Sequence, residues 1–159
     1  MIIKSVYLTK AGLERKKKEL NYLKHTKRRE VIKDLAEARA HGDLSENAEY
    51  DAAKEAQAHT ERKIAELIDI LSRVRIIEDE NIPDDNKIYI GSTVRLIDLN
   101  TDEEISYRLL SEYEADISNN IISTTSPIGR ALLGHKIGDE IKISVPSGVK
   151  EYEILDVIR

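Results

Sequence analysis

Two acidic residues lie three positions apart in a short polar segment within the first third of the chain. Residues 39–50 read RAHGDLSENAEY, with Asp43 and Glu46 at the centre. Carboxylate oxygens are the ligands that Mg²⁺ prefers, and side chains one helical turn apart can point the same way. Because Mg²⁺ takes about six oxygens, two carboxylates cannot complete its shell. The segment therefore predicts a magnesium site that a second molecule must complete.

The same two acids also have a structural interpretation. Asp43 could be the N-cap of a following helix, with Glu46 at the third helical position completing a capping box. Local physical chemistry favours this cap. The placement of both acids at the end of a basic arm, with the apolar Leu44 exposed between them, favours a metal ligand instead. The local sequence leaves both interpretations open.

Two long helices are expected to hold this segment. From Thr9 to about Ile77 there is no proline, and Gly42 is the main interruption. Apolar or small residues recur at helical spacing on both sides of Gly42, at Leu13, Leu20, Leu23, Val31, Leu35, Ala38, Ala48, Ala52, Ala56, Leu67, Ile70 and Val74. Pairing positions whose numbers sum to about 87 brings these residues together. The pattern predicts an antiparallel two-helix coiled coil over residues 1–78, folded at 41–46, with an acidic tip at 41–50 and an arm roughly 50 Å long.

The remainder of the chain has a different character. Residues 79–86 are acidic and aperiodic and contain Pro83, which is typical of a linker. Short β-branched runs then predict strands at Ile88 to Ile90, Thr93 to Leu99, Ile105 to Leu110, Asn120 to Thr124, Glu140 to Val145 and Tyr152 to Ile158. Residues 127–134 begin with proline and end with glycine, which predicts a short helix. The predicted fold is α+β, with a small antiparallel sheet and one short helix over residues 87–159.

Composition narrows the classes of function. The 159 residues include no cysteine, which excludes disulfides, thiolate metal sites and thiol nucleophiles. No apolar run is long enough to span a bilayer and the start of the chain lacks a secretory signal, so we expect a cytoplasmic protein without membrane contact.

The net charge of -5 is unevenly distributed. Residues 1–78 carry 17 Lys and Arg against 14 Asp and Glu, giving +3, and the rest carries 8 against 16, giving -8. The excess is greatest from Lys10 to Arg39, with eleven basic residues and five acids. Such a strip can meet a phosphate backbone or an acidic protein groove, and it can equally be a solvated helix face with internal ion pairs.

Three segments together resemble the Gre family of bacterial transcript cleavage factors. Residues 38–50 followed by 52–55 look like the hairpin tip of that family, residues 8–13 (LTKAGL) resemble its N-terminal signature, and residues 126–134 (SPIGRALLG) resemble its C-terminal one. The likeness covers essentially the whole chain and favours the GreA branch over GreB. It implies an FKBP-like, prolyl-isomerase-like C-terminal domain.

The resemblance also implies a function in which the chain is not itself an enzyme. Gre factors insert the coiled coil into the secondary channel of a backtracked bacterial RNA polymerase, where Asp43 and Glu46 would complete the shell of a weakly held Mg²⁺ and promote cleavage of the nascent RNA 3′ end. The magnesium would be shared with the polymerase, and the chain alone would bind no cofactor stably. We expect a monomer.

Further contact residues follow from the same resemblance. Tip residues that would touch polymerase or RNA are Arg39, Leu44, Ser45, Asn47 and Tyr50. A basic patch facing the RNA would comprise Lys27, Arg28 and Arg29, and a docking surface on the polymerase would comprise Ser126, Pro127 and Ile128. Asn47 and Tyr50 could also orient the acids, or they could be only a first-turn helix residue and a partly buried aromatic. Arg39 could pair with Asp43 or with polymerase acids.

Two other functions remain possible on the sequence. A secondary-channel binder could block or tune polymerase without promoting cleavage, which the Asp43 and Glu46 pair disfavours. A stand-alone coiled-coil adaptor would make the tip acids dispensable.

Overall fold

The computed structural model describes residues 4–42, 47–78 and 82–159. These residues divide into two compact units, one containing Ala11–Val74 and the other combining Val6–Lys10 with Arg75–Arg159. The division differs from the predicted boundary at residue 78, since residues 6–10 and 75–78 group with the C-terminal unit. Strand β1 (Val6–Leu8) pairs with strand β2 (Val74–Ile76), and the Ile77 N–H donates to the Leu8 carbonyl at 2.9 Å.

The first unit is a helical hairpin, as predicted. One arm consists of α1 (Lys10–Tyr22), a π-helical turn (Leu23–Lys27) and α2 (Arg28–Ala40), and the other is α3 (Ala48–Ser72). The π-helical turn was not anticipated by the uninterrupted helical pattern. Such a turn inserts a residue into the α-helical repeat and rotates the faces that follow it. In the described part of the chain, no helix combines the length and apolarity that a membrane crossing requires.

The predicted seam between the helices is right in part. Val31, Leu35 and Ala38 are buried as predicted, and so are Leu67 and Ile70. The alanines predicted to face them near the tip, Ala48, Ala52 and Ala56, are exposed. Their places are taken by Ala53, Thr60 and Ile64, which are buried. Because alanines occupy several faces of this stretch, residue size does not identify the buried face.

One ion pair links the two arms two positions from the predicted register. Arg28 pairs with Glu61, whereas the predicted register would set it against His59. Thr60 is accommodated in the apolar seam because its hydroxyl donates to the Ala56 carbonyl one turn earlier, at 2.8 Å. The helical prediction also ran too far, since α3 ends at Ser72 and Val74 begins strand β2.

The second unit contains a five-stranded sheet in the order β5-β4-β3-β7-β6. Its strands are β3 (Thr93–Asp98), β4 (Glu104–Leu110), β5 (Ile121–Ser123), β6 (Glu140–Val145) and β7 (Gly148–Ile158). All neighbours are antiparallel, as predicted, except β4 and β5, which are parallel. The predicted strand at 88–90 is wrong, because these residues form no strand. The isolated bridge nearby pairs Lys87 with Lys136, and Ile88 bonds through its backbone to Gly134 and His135.

One face of this sheet carries the core. The helix α4 (Pro127–Leu132) lies within the predicted helix and ends two residues before Gly134. Alternating strand residues point inwards, which is the expected pattern for a sheet with one covered face. The buried core comprises Ile88, Val94, Leu96, Leu109, Ile122, Leu132, Ile141, Ile143, Tyr152 and Ile154.

Candidate functional site at the hairpin tip

The candidate site lies where α2 ends and α3 begins. Asp43, Leu44, Ser45 and Glu46 lie outside the described residues, so the site is characterised here by the residues on either side. His41 follows the last residue of α2, with its N–H donating to the Ala38 carbonyl at 3.3 Å. Gly42 has a φ of +112°, a conformation that glycine adopts readily and that ends the helical path.

Asn47 joins the two helices at this point. Its Nδ2 donates to the Ala38 carbonyl at 2.7 Å, and its Oδ1 accepts from the Tyr50 N–H at 3.1 Å. The first bond satisfies a carbonyl at the end of α2, and the second satisfies an amide at the start of α3. A single side chain therefore closes the base of the tip segment.

Asn47, not Asp43, is the N-cap of α3. The helix begins at Ala48, and Asn47 has the extended backbone and side-chain bond of a cap. The capping interpretation of Asp43, with Glu46 at the third helical position, is therefore wrong. Asparagine caps as well as aspartate does, and Glu49 and Asp51 supply the acidic side chains of the first turn.

A second contact also crosses the tip. The His41 Nδ1 lies 2.8 Å from the Glu49 Oε2, and both side chains are exposed. This contact joins the residue after α2 to the first turn of α3. The bonds of Asn47 join the same two helices. Both residues were missed by the sequence analysis, and their separation of eight positions across a turn gives no recognisable motif.

Tyr50 lies close to two cations. The Arg39 guanidinium carbon is 5.9 Å from the ring centroid and the Lys54 ammonium is 5.4 Å from it, within the range of cation–π attraction. The neighbouring Arg39, and after it Lys54, lowers the pKa of the Tyr50 phenol below its ordinary value. Lys54 was not predicted, although its spacing of four from Tyr50 on a helix could have indicated it.

The three residues of the predicted basic patch have different environments. Arg28 makes a two-pronged ion pair with Glu61 on α3, with both N···O distances 2.8 Å. Lys27 pairs with Glu30 on its own arm at 3.7 Å. Arg29 is exposed and forms no ion pair within the described part of the chain. Arg28 thus braces the hairpin, and Arg29 is the member best placed to meet an external phosphate.

The predicted docking residues lie at the start of α4. Ser126 caps this helix, because its Oγ accepts from the Gly129 N–H at 3.1 Å and donates to the Ser123 carbonyl at 2.6 Å. Ile128 is partly buried against the sheet core, and Pro127 is exposed. Ser126 and Ile128 therefore have a structural role, and Pro127 is the residue of the three whose side chain is exposed.

The magnesium ligands predicted at the tip, Asp43 and Glu46, lie outside the described residues. Within the described residues there is no group of three or more acidic or histidine side chains close enough to hold a metal. By residue type, Asp43 and Glu46 are both hard oxygen donors of the kind that Mg²⁺ prefers. Their carboxylates could supply some of the six or so oxygens that Mg²⁺ takes.

Comparison with known proteins covers both units. The family model "Transcription elongation factor, N-terminal" matches residues 6–76, and "Transcription elongation factor, GreA/GreB, C-term" matches residues 83–159. A protein named transcription elongation factor GreA from Pelobacter propionicus is 50% identical over 153 residues, which is 96% of each chain. One of the same name from Rickettsia bellii is 48% identical over 94% of this chain and 92% of its own.

Solved structures of related proteins also match. The GreA factor homolog 1 (Gfh1) protein of Thermus thermophilus is 34% identical, with 98% of this chain and 100% of that chain covered and a TM-score of 0.45. Since two family models together cover nearly the whole chain and the relatives match it at about half of their positions, the chain belongs to the GreA/GreB family of transcription elongation factors.

Proposed function

We propose that this protein enters the secondary channel of bacterial RNA polymerase with its helical hairpin and stimulates the cleavage of backtracked RNA. Its own residues would bind and orient, and the nuclease centre would be that of the polymerase. The observation that carries the proposal is the capping of α3 by Asn47, because it leaves Asp43 and Glu46 without the structural task that local sequence suggested.

The architecture of the first unit supports delivery of these acids to a distant centre. Helix α3 spans 25 residues, which corresponds to a rod of about 37 Å. Its seam near the tip is built from the small Ala38 and Ala53, so the helices can pack closely there. A narrow rod of this length can reach into a channel that a globular domain could not enter.

The acids would act in the polymerase active centre as ligands for a shared Mg²⁺. Two metal ions can stabilise both the attacking and the leaving oxygens of an in-line phosphodiester hydrolysis. Asp43 and Glu46 would hold the more weakly bound ion in place. Arg29, Arg39 and Lys54 would contribute positive charge beside the extruded RNA.

A cleavage assay with conservative variants tests the proposal. Purified protein is mixed with a backtracked bacterial elongation complex and Mg²⁺, and RNA length is followed over time. We expect shortening from the 3′ end, and a loss of at least about tenfold in rate for Asp43→Asn and Glu46→Gln, because even outer partners of a metal ligand typically contribute 10- to 100-fold. Polymerase binding should survive, since neither residue caps α3.

The matched control is Asp51→Asn, which makes the same chemical change on an exposed residue in the first turn of α3. This variant should cleave like the parent. Binding without any RNA shortening by the parent protein would assign it to regulators that occupy the channel without promoting hydrolysis. Cleavage at the parental rate by both acid variants would contradict the shared metal site.

A further inference from the structure

We propose that Glu61 withholds Arg28 from anionic ligands, so that their ion pair is an autoinhibitory contact on a binding site for the phosphates of single-stranded RNA. The inference concerns the free protein and goes beyond the proposed function, because it requires neither polymerase nor cleavage. It gives Glu61 the task of limiting the affinity of the basic arm for RNA.

The geometry of the pair is that of a closed anion site. The Arg28 Nε and Nη2 atoms donate to the two carboxylate oxygens of Glu61, each at 2.8 Å. Arginine recognises phosphates with the same parallel fork, so Glu61 occupies the place where a phosphate would bind. The hydrogen bonds from Arg28 hold the pKa of the Glu61 carboxyl below its ordinary value, which keeps this carboxylate charged at neutral pH.

The closed site can be reached from solvent. The side chains of Arg28 and Glu61 are 37% and 49% exposed, so an external anion can approach the guanidinium while the hairpin stays folded. As a group attached to the same molecule, Glu61 competes at a high effective concentration, and a single free anion does not displace it. A phosphodiester chain carries a charge at every nucleotide and gains from several contacts at once, so it can compete.

The neighbours of Arg28 in the chain show why this one pair matters. Lys27 pairs with Glu30 on its own arm through one contact of 3.7 Å. Arg29 is exposed and has no ion pair among the residues that the structure describes. Arg28 alone of these three consecutive cations is held by two bonds from the opposite helix. A strand of RNA that meets Arg29 therefore finds the next guanidinium already occupied by Glu61.

Glu61→Gln opens the site without adding a cation. Binding of a labelled oligouridylate is measured by fluorescence anisotropy over a range of salt concentrations at pH 7. For single strands, each neutralised phosphate adds about 0.7 to the slope of log affinity against log salt. We expect the slope of Glu61→Gln to be steeper than that of the parent by about 0.7, which corresponds to about fivefold tighter binding at 0.1 M salt.

Glu66→Gln is the matched control, because it makes the same change at an exposed position of α3 that forms no ion pair in the described part of the chain. It should leave the salt slope unchanged. Glu61→Asp keeps the charge but shortens the side chain and weakens the fork, so it should give a smaller gain in the same direction. Adding Arg28→Gln to Glu61→Gln should return the slope to the parental value.

Three results would overturn the inference. They are a parental slope in Glu61→Gln, an equal gain in Glu66→Gln, and a gain that persists when Arg28 is also replaced. An equal gain with polyglutamate in place of RNA would assign the site to acidic protein surfaces and would overturn the phosphate assignment. Because none of these measurements involves polymerase, their failure would leave the proposed function to its own cleavage assay.

Discussion

At the scale of single residues, Gly129 determines how closely α4 approaches strand β5. Its backbone is in an ordinary helical conformation, so it is not needed for backbone freedom. A Cβ at this position would overlap the Ser123 carbonyl oxygen. That carbonyl also accepts from the Ser126 hydroxyl, which caps α4, so the helix start and its close approach depend on the same atom.

Gly129→Ala is therefore expected to destabilise the C-terminal unit. Because the overlap is with backbone, α4 must shift, and overpacking of this kind costs about 1–3 kcal/mol or more. Chemical denaturation followed by circular dichroism measures the change. Gly134 is the matched comparison, since it has a φ of +81° but open space around its Cβ. Asn tolerates that conformation, so Gly134→Asn should be mild and Gly129→Asn severe; equal effects would contradict the packing explanation.

At the scale of elements, the hairpin and the sheet could be predicted because each follows one regular spacing. Glu140 to Val145 alternates strictly and is a strand with those same ends. The features that were missed depend on contacts between distant residues or on equivalent local choices. Val74 belongs to a strand because β2 pairs with β1, although its position also continues the helical spacing of the preceding residues. Asp43 and Asn47 are equally good N-caps by type, so only the structure identifies Asn47.

A buried carboxylate in the second unit binds Thr9, which belongs to the same unit. Glu114, with 7% exposure, accepts from the Thr9 N–H at 2.9 Å and from the Thr9 hydroxyl at 2.6 Å. Thr9 immediately precedes α1 and groups with the sheet unit, so this contact closes a sequence separation of 105 residues. Sequence patterns give no sign of it, because nothing local distinguishes Glu114 from exposed acids.

Glu114→Ala is expected to lower the free energy of unfolding by about 1.5–3 kcal/mol, the usual range for hydrogen bonds to a charged group. Urea denaturation gives the value. A double-mutant cycle with Thr9→Val isolates the contact itself, and we expect a coupling above about 0.5 kcal/mol for residues that touch. Additive effects would show that Glu114 stabilises the unit through other neighbours.

At the scale of the whole molecule, the distribution of charge matters more than its sum. The net charge of -5 would disfavour approach to RNA or to any acidic surface, yet residues 1–78 carry +3 and the basic excess lies on the arm that contains α1 and α2. Several of these cations are already paired on the surface, such as Arg28 with Glu61 and Lys17 with Glu14. Such exposed pairs contribute little stability, so their main effect is on the field that a partner meets.

The rate of association with polymerase should therefore depend on the salt concentration and on the basic residues of the arm that contains α1 and α2. Electrostatic steering raises association rates by about 10- to 1,000-fold and weakens as the Debye length falls to about 3 Å at 1 M salt. We expect the association rate constant, measured by stopped-flow with labelled protein, to fall at least about tenfold between low and high salt.

Replacing Lys16, Lys17 and Lys18 by Gln should make the association rate constant less dependent on salt. Replacing Arg95, Lys142 and Lys150 on the sheet unit changes the net charge equally and should have a smaller effect, because those residues lie outside the arm. Equal effects of the two triple variants would mean that net charge, and not the basic strip, governs the encounter.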